Sequence, residues 1–284
     1  MDRSLLYDML RLYPVQPATA LWRAVEIGAL LRLGLPTGRG LDLGCGDGKL
    51  TQLILGRAGP RRLVGIDLDP LETQAAARLG IYEAVHTGPA DLVPEQDSSF
   101  DFILSNSVLE HIPDLPPVLA EVARLLRPQG RFLFTVPGPA FHANLRGSIL
   151  PWVSRQRYLN DIDHRLAHVR YPTSSEWSRL CEDAGLCLAG CLGYLDQRET
   201  RCWETLSRLT GGLAYAIYRK QRSPIRIQRQ LGLRQLQNRS RMPSAAASAL
   251  TAIILRSCSA QRTEWVAEPN AGCLLVHGTR RCIS

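Results

Sequence analysis

The sequence predicts an α/β fold built on a doubly wound, seven-stranded sheet, parallel except for an antiparallel C-terminal strand. Three observations predict it. Short apolar runs recur at residues 40–43, 63–67, 84–88, 100–104 and 131–136, segments of helical character lie between them, and the first run opens into a turn with glycine at every second position. Strands separated by helices need crossover connections, which run right-handed and leave the strands parallel. At 284 residues the chain can bury a full core, and one elaborated domain fits that length better than two equal ones.

Residues 1–39 read as helical: Leu21, Val25, Leu30 and Leu31 recur at helical spacing, and Pro36, Thr37 and Gly38 end the segment. Arg23 and Glu26, three apart, are placed to pair on one face, usually a surface arrangement. The run 40–43 is a short buried strand, after which a helix opens at Lys49 and stops near 56–60. Residues 63–67 form the second strand, and Asp69 suits the N-cap of a helix starting at Pro70. The third strand is 84–88, and the fourth, 100–104, ends at Ser105 and Asn106. An amphipathic helix at 118–126 is stopped by Pro128 and Gly130, and 131–136 is the fifth strand.

Residues 140–171 show no clear periodicity and mix aromatics, arginines and acids. Asp161, Asp163, His164 and His168 form a polar cluster there. His164 and His168, four apart, could share a helix face, but a pair without a third ligand is a weak metal signal. Thr173 and Glu176 stand in the S/T-x-x-E arrangement of a capping box, opening a helix that ends at Gly185. The sixth strand is 186–194 and the seventh is best placed at 272–278, which makes 196–270 an insertion in the terminal hairpin. The predicted organisation is a helical N-terminal cap (1–39), a core (40–195), a basic helical insertion (196–270), and a last strand with tail (271–284).

The net charge of +8 is uneven. Residues 198–256 hold twelve Lys or Arg against Glu199 and Glu204, so this segment carries +10 and the remainder −2. Apolar runs at 203–218 and 245–255 flank the arginine-rich stretch 219–241. Both are shorter than the roughly 20 residues that cross a bilayer. They suit either a helical lid with a solvated face or peripheral contact of 199–256 with an anionic membrane. Asp2, Arg3 and Asp8 interrupt any signal-peptide pattern, so a cytoplasmic location is expected. Eight scattered cysteines without a C-x-x-C pair are expected to be reduced and partly buried.

Glycine is required where the backbone takes positive φ or must lie against a ligand with no Cβ between. A dinucleotide G-x-G-x-x-G begun at Gly44 would need glycine at 49, where Lys49 stands; the spacing here is G-x-G-x-G, preceded by Asp42. Asp67, ending the second strand 19 residues past Gly48, can accept hydrogen bonds from two ribose hydroxyls. Ser105 and Asn106 lie at the carboxyl end of the fourth strand, where open α/β sheets bind ligands.

The stretch from Gly40 to Leu50, with Asp67 and the tetrapeptide from Leu109 to Ile112, resembles the class I S-adenosylmethionine-dependent methyltransferases, in particular their small-molecule type 11 branch. The resemblance covers residues 40–138 nearly without a gap, and the helix ending at Gly185 extends it. It implies a Rossmann-like core and S-adenosyl-L-methionine as cofactor. Gly44, Gly46 and Gly48 would shape the cofactor loop, Asp42 would face the methionine end and Asp67 the ribose, with Cys45 and Leu68 also in the cofactor site. Asn106 would line the floor. The family's acid after the third strand is replaced by Pro89, leaving the adenine contact to Ala90, to Asp91 or to neither. His111 is either a general base or a residue that orders its loop. The expected activity is methyl transfer to a small-molecule or lipid-linked acceptor; an RNA or protein methyltransferase and a non-catalytic cofactor-binding scaffold are the alternatives. No metal is expected.

Overall fold

The computed structural model describes residues 1–212, 242–258 and 264–281. Helices α1 (Arg3–Leu12) and α2 (Pro17–Leu33) precede β1 (Arg39–Leu43), α3 (Lys49–Ala58), β2 (Arg62–Asp67), α4 (Pro70–Ala77), β3 (Ala84–Thr87) and β4 (Phe100–Asn106). Then follow α5 (Pro116–Leu125), β5 (Leu126–Pro137), α6 (Phe141–Asn144), α7 (Arg155–Leu166), α8 (Ser174–Asp183), β6 (Leu186–Tyr194), α9 (Gln197–Ser207), α10 (Ser244–Cys258) and β7 (Cys273–Arg280). The arginine-rich stretch 219–241 lies outside the described residues. The chain divides into two compact units: residues 1–29, 139–169 and 193–273, and residues 30–138, 170–192 and 274–284.

The second unit carries the sheet, in the order β3-β2-β1-β4-β5-β7-β6. Strands β1 to β5 pair in parallel. Leu41 and Leu43 of β1 and Leu63, Val64 and Ile66 of β2 are buried, as befits strands covered on both faces. Gly40 is required by packing, because a Cβ there would overlap the Phe102 ring of β4. Strand β5 starts five residues earlier than the sequence pattern indicates, because buried Leu126 pairs with Phe100 and extends the ladder through an irregular register. At the far end of the sheet, Gly272 N bonds Leu195 O and Arg281 N bonds Gly185 O, so β7 runs antiparallel to β6. Asp69 caps α4, and Thr173 with Glu176 forms the full capping box of α8, both as expected.

In the first unit the rings of Trp22, Phe141 and Trp203 meet edge to face, with centroids 5.4 to 5.6 Å apart. Glu204 is wholly buried there, and its carboxylate accepts from Arg146 N at 2.9 Å, Gly147 N at 3.2 Å, Tyr158 Oη at 2.7 Å and Arg208 Nη2 at 2.8 Å. Donors of this kind offset the hydration that a buried carboxylate loses.

Three expectations are corrected here. Glu26, paired with Arg23 at 2.5 Å, is fully buried rather than at the surface, because α2 packs that face inward. Helix α7 ends at Leu166, and Ala167 takes a left-handed conformation, so His168 does not continue the face of His164. Asp163 instead bonds His142 at 2.7 Å. Cys202 and Cys258, expected to be reduced, form a disulfide between α9 and α10, with Cα atoms 5.8 Å apart. No helix among the described residues is long and apolar enough to cross a membrane.

Glu204→Ala removes the acceptor from four donors, two of them backbone amides. It is expected to lower stability by about 3–5 kcal/mol in denaturant unfolding.

Candidate active site

The strand order reverses at β1: β2 and β3 lie on one side, β4 and β5 on the other. A crevice therefore opens at the carboxyl ends of β1 and β4. Gly44, Gly46 and Gly48 all have positive φ, at 81°, 52° and 73°. The turn is fastened to the neighbouring strand, since Gly44 N and Cys45 N both donate to Ile66 O, at 2.8 and 2.9 Å. Gly46 N donates to Asp67 Oδ2 at 2.9 Å, bringing together the turn and the acid that the spacing associates. The other Asp67 oxygen accepts from Asp69 N.

The glycines differ in their surroundings. A Cβ at Gly44 would overlap Val108, and one at Gly48 would press on Leu79 and Tyr82, whereas one at Gly46 meets nothing within 4 Å. Gly44 and Gly48 thus serve packing, and Gly46 faces open space beside a carboxylate. That open cradle, with backbone and acid at its rim, fits a nucleoside cofactor lacking a pyrophosphate.

Asp42 is buried beneath the turn. Its Oδ2 accepts from Thr51 Oγ1 and Tyr82 Oη, both at 2.6 Å. Burial raises its carboxyl above the ordinary value, and the two hydroxyls pull it back down. Burial likewise pushes the Tyr82 hydroxyl and the Cys45 thiol up, so neither titrates near neutrality. Sequence reading missed both hydroxyls. Thr51, on the first turn of α3, had the helix register as a signal; Tyr82, in the loop after α4, had none.

Gly88 N donates to Asp67 O at 3.1 Å, which sets the turn holding Pro89, Ala90 and exposed Asp91 beside Asp67. Leu68, directly after β2, is 73% exposed. Across the switch point, Asn106 is buried and its Oδ1 accepts from Thr135 Oγ1 at 3.4 Å. Ser107, at φ 51°, turns the chain into a short 3-10 helix, Leu109–His111. Glu110 points inward and is buried, while the His111 side chain is 39% exposed, its Nε2 3.9 Å from Glu110 Oε1. Arg170 fastens the far side of this loop by donating to Ile112 O at 2.5 Å and Pro113 O at 2.6 Å. Among the described residues, no group of three or more His, Cys, Asp or Glu is arranged to hold a metal.

A family model described as a methyltransferase domain matches residues 22–189, more than half of the chain. The chain belongs to the class I S-adenosylmethionine-dependent methyltransferases. Its cofactor is S-adenosylmethionine. Ubiquinone biosynthesis O-methyltransferase of Aromatoleum aromaticum is 31% identical over 168 residues, covering 56% of this chain and 68% of that protein. Dimethylglycine N-methyltransferase of Parasynechococcus marenigrum is 36% identical over 129 residues, covering 42% and 45%. Several other relatives are spanned over only 37 to 65% of their length. Geranyl diphosphate C-methyltransferase of Streptomyces coelicolor A3(2) superposes with a TM-score of 0.54 at 12% identity, over 93% of this chain and 84% of that one. At that identity the likeness concerns the fold.

Two outcomes follow for this methyltransferase. Tyr82→Phe takes a donor from a buried carboxylate and is expected to cost about 1–3 kcal/mol of stability, measured by urea unfolding. Gly44→Ala combines positive φ with overlap on Val108 and is expected to lower the melting temperature markedly. Gly46→Ala meets only the αL cost of about 1–2 kcal/mol, so a melting curve for Gly46→Ala as low as that for Gly44→Ala would contradict the open cradle.

Proposed function

We propose that this methyltransferase acts on a small-molecule or lipid-linked acceptor, of the sugar, isoprenoid or specialised-metabolite kind, and binds its cofactor across the turn and Asp67. The observation that carries the proposal is the 2.9 Å bond from Gly46 N to Asp67 with open space over Gly46. The printed names of the relatives support a small acceptor, one being an O-methyltransferase of ubiquinone biosynthesis and another an N-methyltransferase of dimethylglycine.

When bound, the cofactor supplies a methyl group already activated as a sulfonium, so the chain contributes position and exclusion of water. Asp67 keeps lone pairs for the ribose hydroxyls. Exposed Leu68 offers an apolar surface to the adenine ring, whose edge meets Ala90 or Asp91. Gly44, Cys45 and Gly48 hold the turn's shape. Asp42, oriented by Thr51 and Tyr82, supplies negative charge for the methionine ammonium. Asn106 lines the floor. His111, exposed on a loop that Arg170 holds, takes the proton released by a hydroxyl or amine acceptor.

Equilibrium titration with S-adenosylhomocysteine tests the cofactor site. Saturable binding is expected in the wild type, with affinity reduced about tenfold or more in Asp67→Ala, the scale for hydrogen bonds to a charged group. Equal affinity in Asp67→Ala would remove the ribose assignment. Methyl transfer from labelled cofactor, screened against lipid, sugar and RNA fractions, tests the acceptor class; label in RNA alone would overturn it.

A further inference from the structure

Between α6 and α7 the chain makes a loop with an apolar tip and locked feet. Ile149 is 76% exposed, Trp152 75% and Leu150 43%. Single large apolar residues are common on surfaces; three within four residues on one turn are not. Trp22, Trp177 and Trp203, by contrast, are all buried. A slack chain does not explain the exposure. On one side of the loop the amides of Arg146 and Gly147 donate to Glu204, and on the other Tyr158 Oη donates to the same buried carboxylate. Arg155 adds bonds to Leu145 O and His142 O, and Val153 N closes a turn on Leu150 O. The stem is fixed, and it holds the most apolar side chains in water.

The charged residues of the loop itself have one sign. Residues 141–160 contain Arg146, Arg155 and Arg157, all exposed, and no Asp or Glu. Arg146 and Arg155 bond neutral oxygens, of Thr205 and of backbone carbonyls, so these contacts leave their charges uncompensated.

We propose that this loop docks the protein onto a bilayer bearing anionic lipid. Ile149, Leu150 and Trp152 enter the interfacial layer, Arg146 and Arg157 meet lipid phosphates, and Arg155, held on the stem, adds its charge. Tryptophan prefers that layer because its ring is apolar with one polar edge. The guanidinium fork matches phosphate oxygens, and basic residues near an anionic surface add to apolar insertion. The arginine collar without acids matches a uniformly anionic plane. The proposal does not depend on which acceptor is methylated.

The full chain is floated with vesicles of phosphatidylcholine containing about a quarter phosphatidylglycerol, a mixture mimicking an anionic leaflet. Wild type is expected to co-float, with its tryptophan emission quenched by brominated acyl chains. The double variant Ile149→Ser, Trp152→Ser changes only exposed side chains and is expected to lower the partition coefficient about tenfold or more, since it removes most of the inserted apolar area. Arg157→Glu, an independent variant at the collar, should weaken binding to these vesicles more than to pure phosphatidylcholine. Wild type that stays in the aqueous fraction, or variants that float as well as wild type, would overturn the proposal. So would self-association that buries Trp152 without vesicles.

Discussion

The bond between Gly46 N and Asp67 is the constraint on which the rest of this site depends. Three backbone amides of the turn, those of Gly44, Cys45 and Gly46, are spent on the end of β2, two on Ile66 O and one on the Asp67 side chain. The turn is thereby a cap on the neighbouring strand and not a free loop, and its position follows from the parallel register of β1 on β2. Positive φ at the three alternate residues is what lets so short a segment reverse and still place those amides correctly. The open space over Gly46 is then a by-product of that geometry: the turn is pulled toward β2, and nothing else among the described residues comes within 4 Å of a Cβ there.

Two buried carboxylates anchor the two units, each by the same physics. Asp42 sits under the turn with two hydroxyl donors, and Glu204 sits in the other unit with two amides, a phenol and a guanidinium. The contrast in donors has consequences. Asp42 has only neutral partners and burial raises its carboxyl, so ionising it costs folding free energy that is relieved as pH falls. Glu204 faces a guanidinium, a phenol and two backbone amides, and those bonds fix the chain around it.

How legible this was in the sequence depends on how local the cause is. The strands, the Asp69 cap and the capping box of Thr173 and Glu176 follow from residues within a few positions of one another, and they stand where the pattern puts them, apart from the early start of β5. The turn and Asp67 were also legible, because glycine spacing and a strand-ending acid report backbone conformation directly. What was not legible arises from contacts across long separations. Tyr82 reaches Asp42 across 40 residues, Tyr158 reaches Glu204 across 46, and Cys202 meets Cys258 across 56. Nothing in the local composition around Tyr82 marks it as a partner for a carboxylate. The region 140–171 failed for another reason: α7 has few apolar residues and only Ile162 buried, so no helical stripe is written in it.

This division also explains why the cofactor was readable and the acceptor was not. All of the residues assigned to the cofactor, from Asp42 to Asn106, come from residues 30–138, a stretch of one unit that falls within the matched methyltransferase domain. There the chemistry is set by backbone geometry, and backbone geometry leaves a mark in glycine and acid spacing. Acceptor choice is set by side-chain shape and charge, which one fold can vary freely. The other unit is assembled from three separate segments, the last of them entirely beyond the matched domain. Its disulfide and its basic sequence lie beyond the matched domain, while its exposed tryptophan loop lies within it. Evidence about what is methylated, and where in the cell, is therefore to be sought in that unit rather than in the glycine turn.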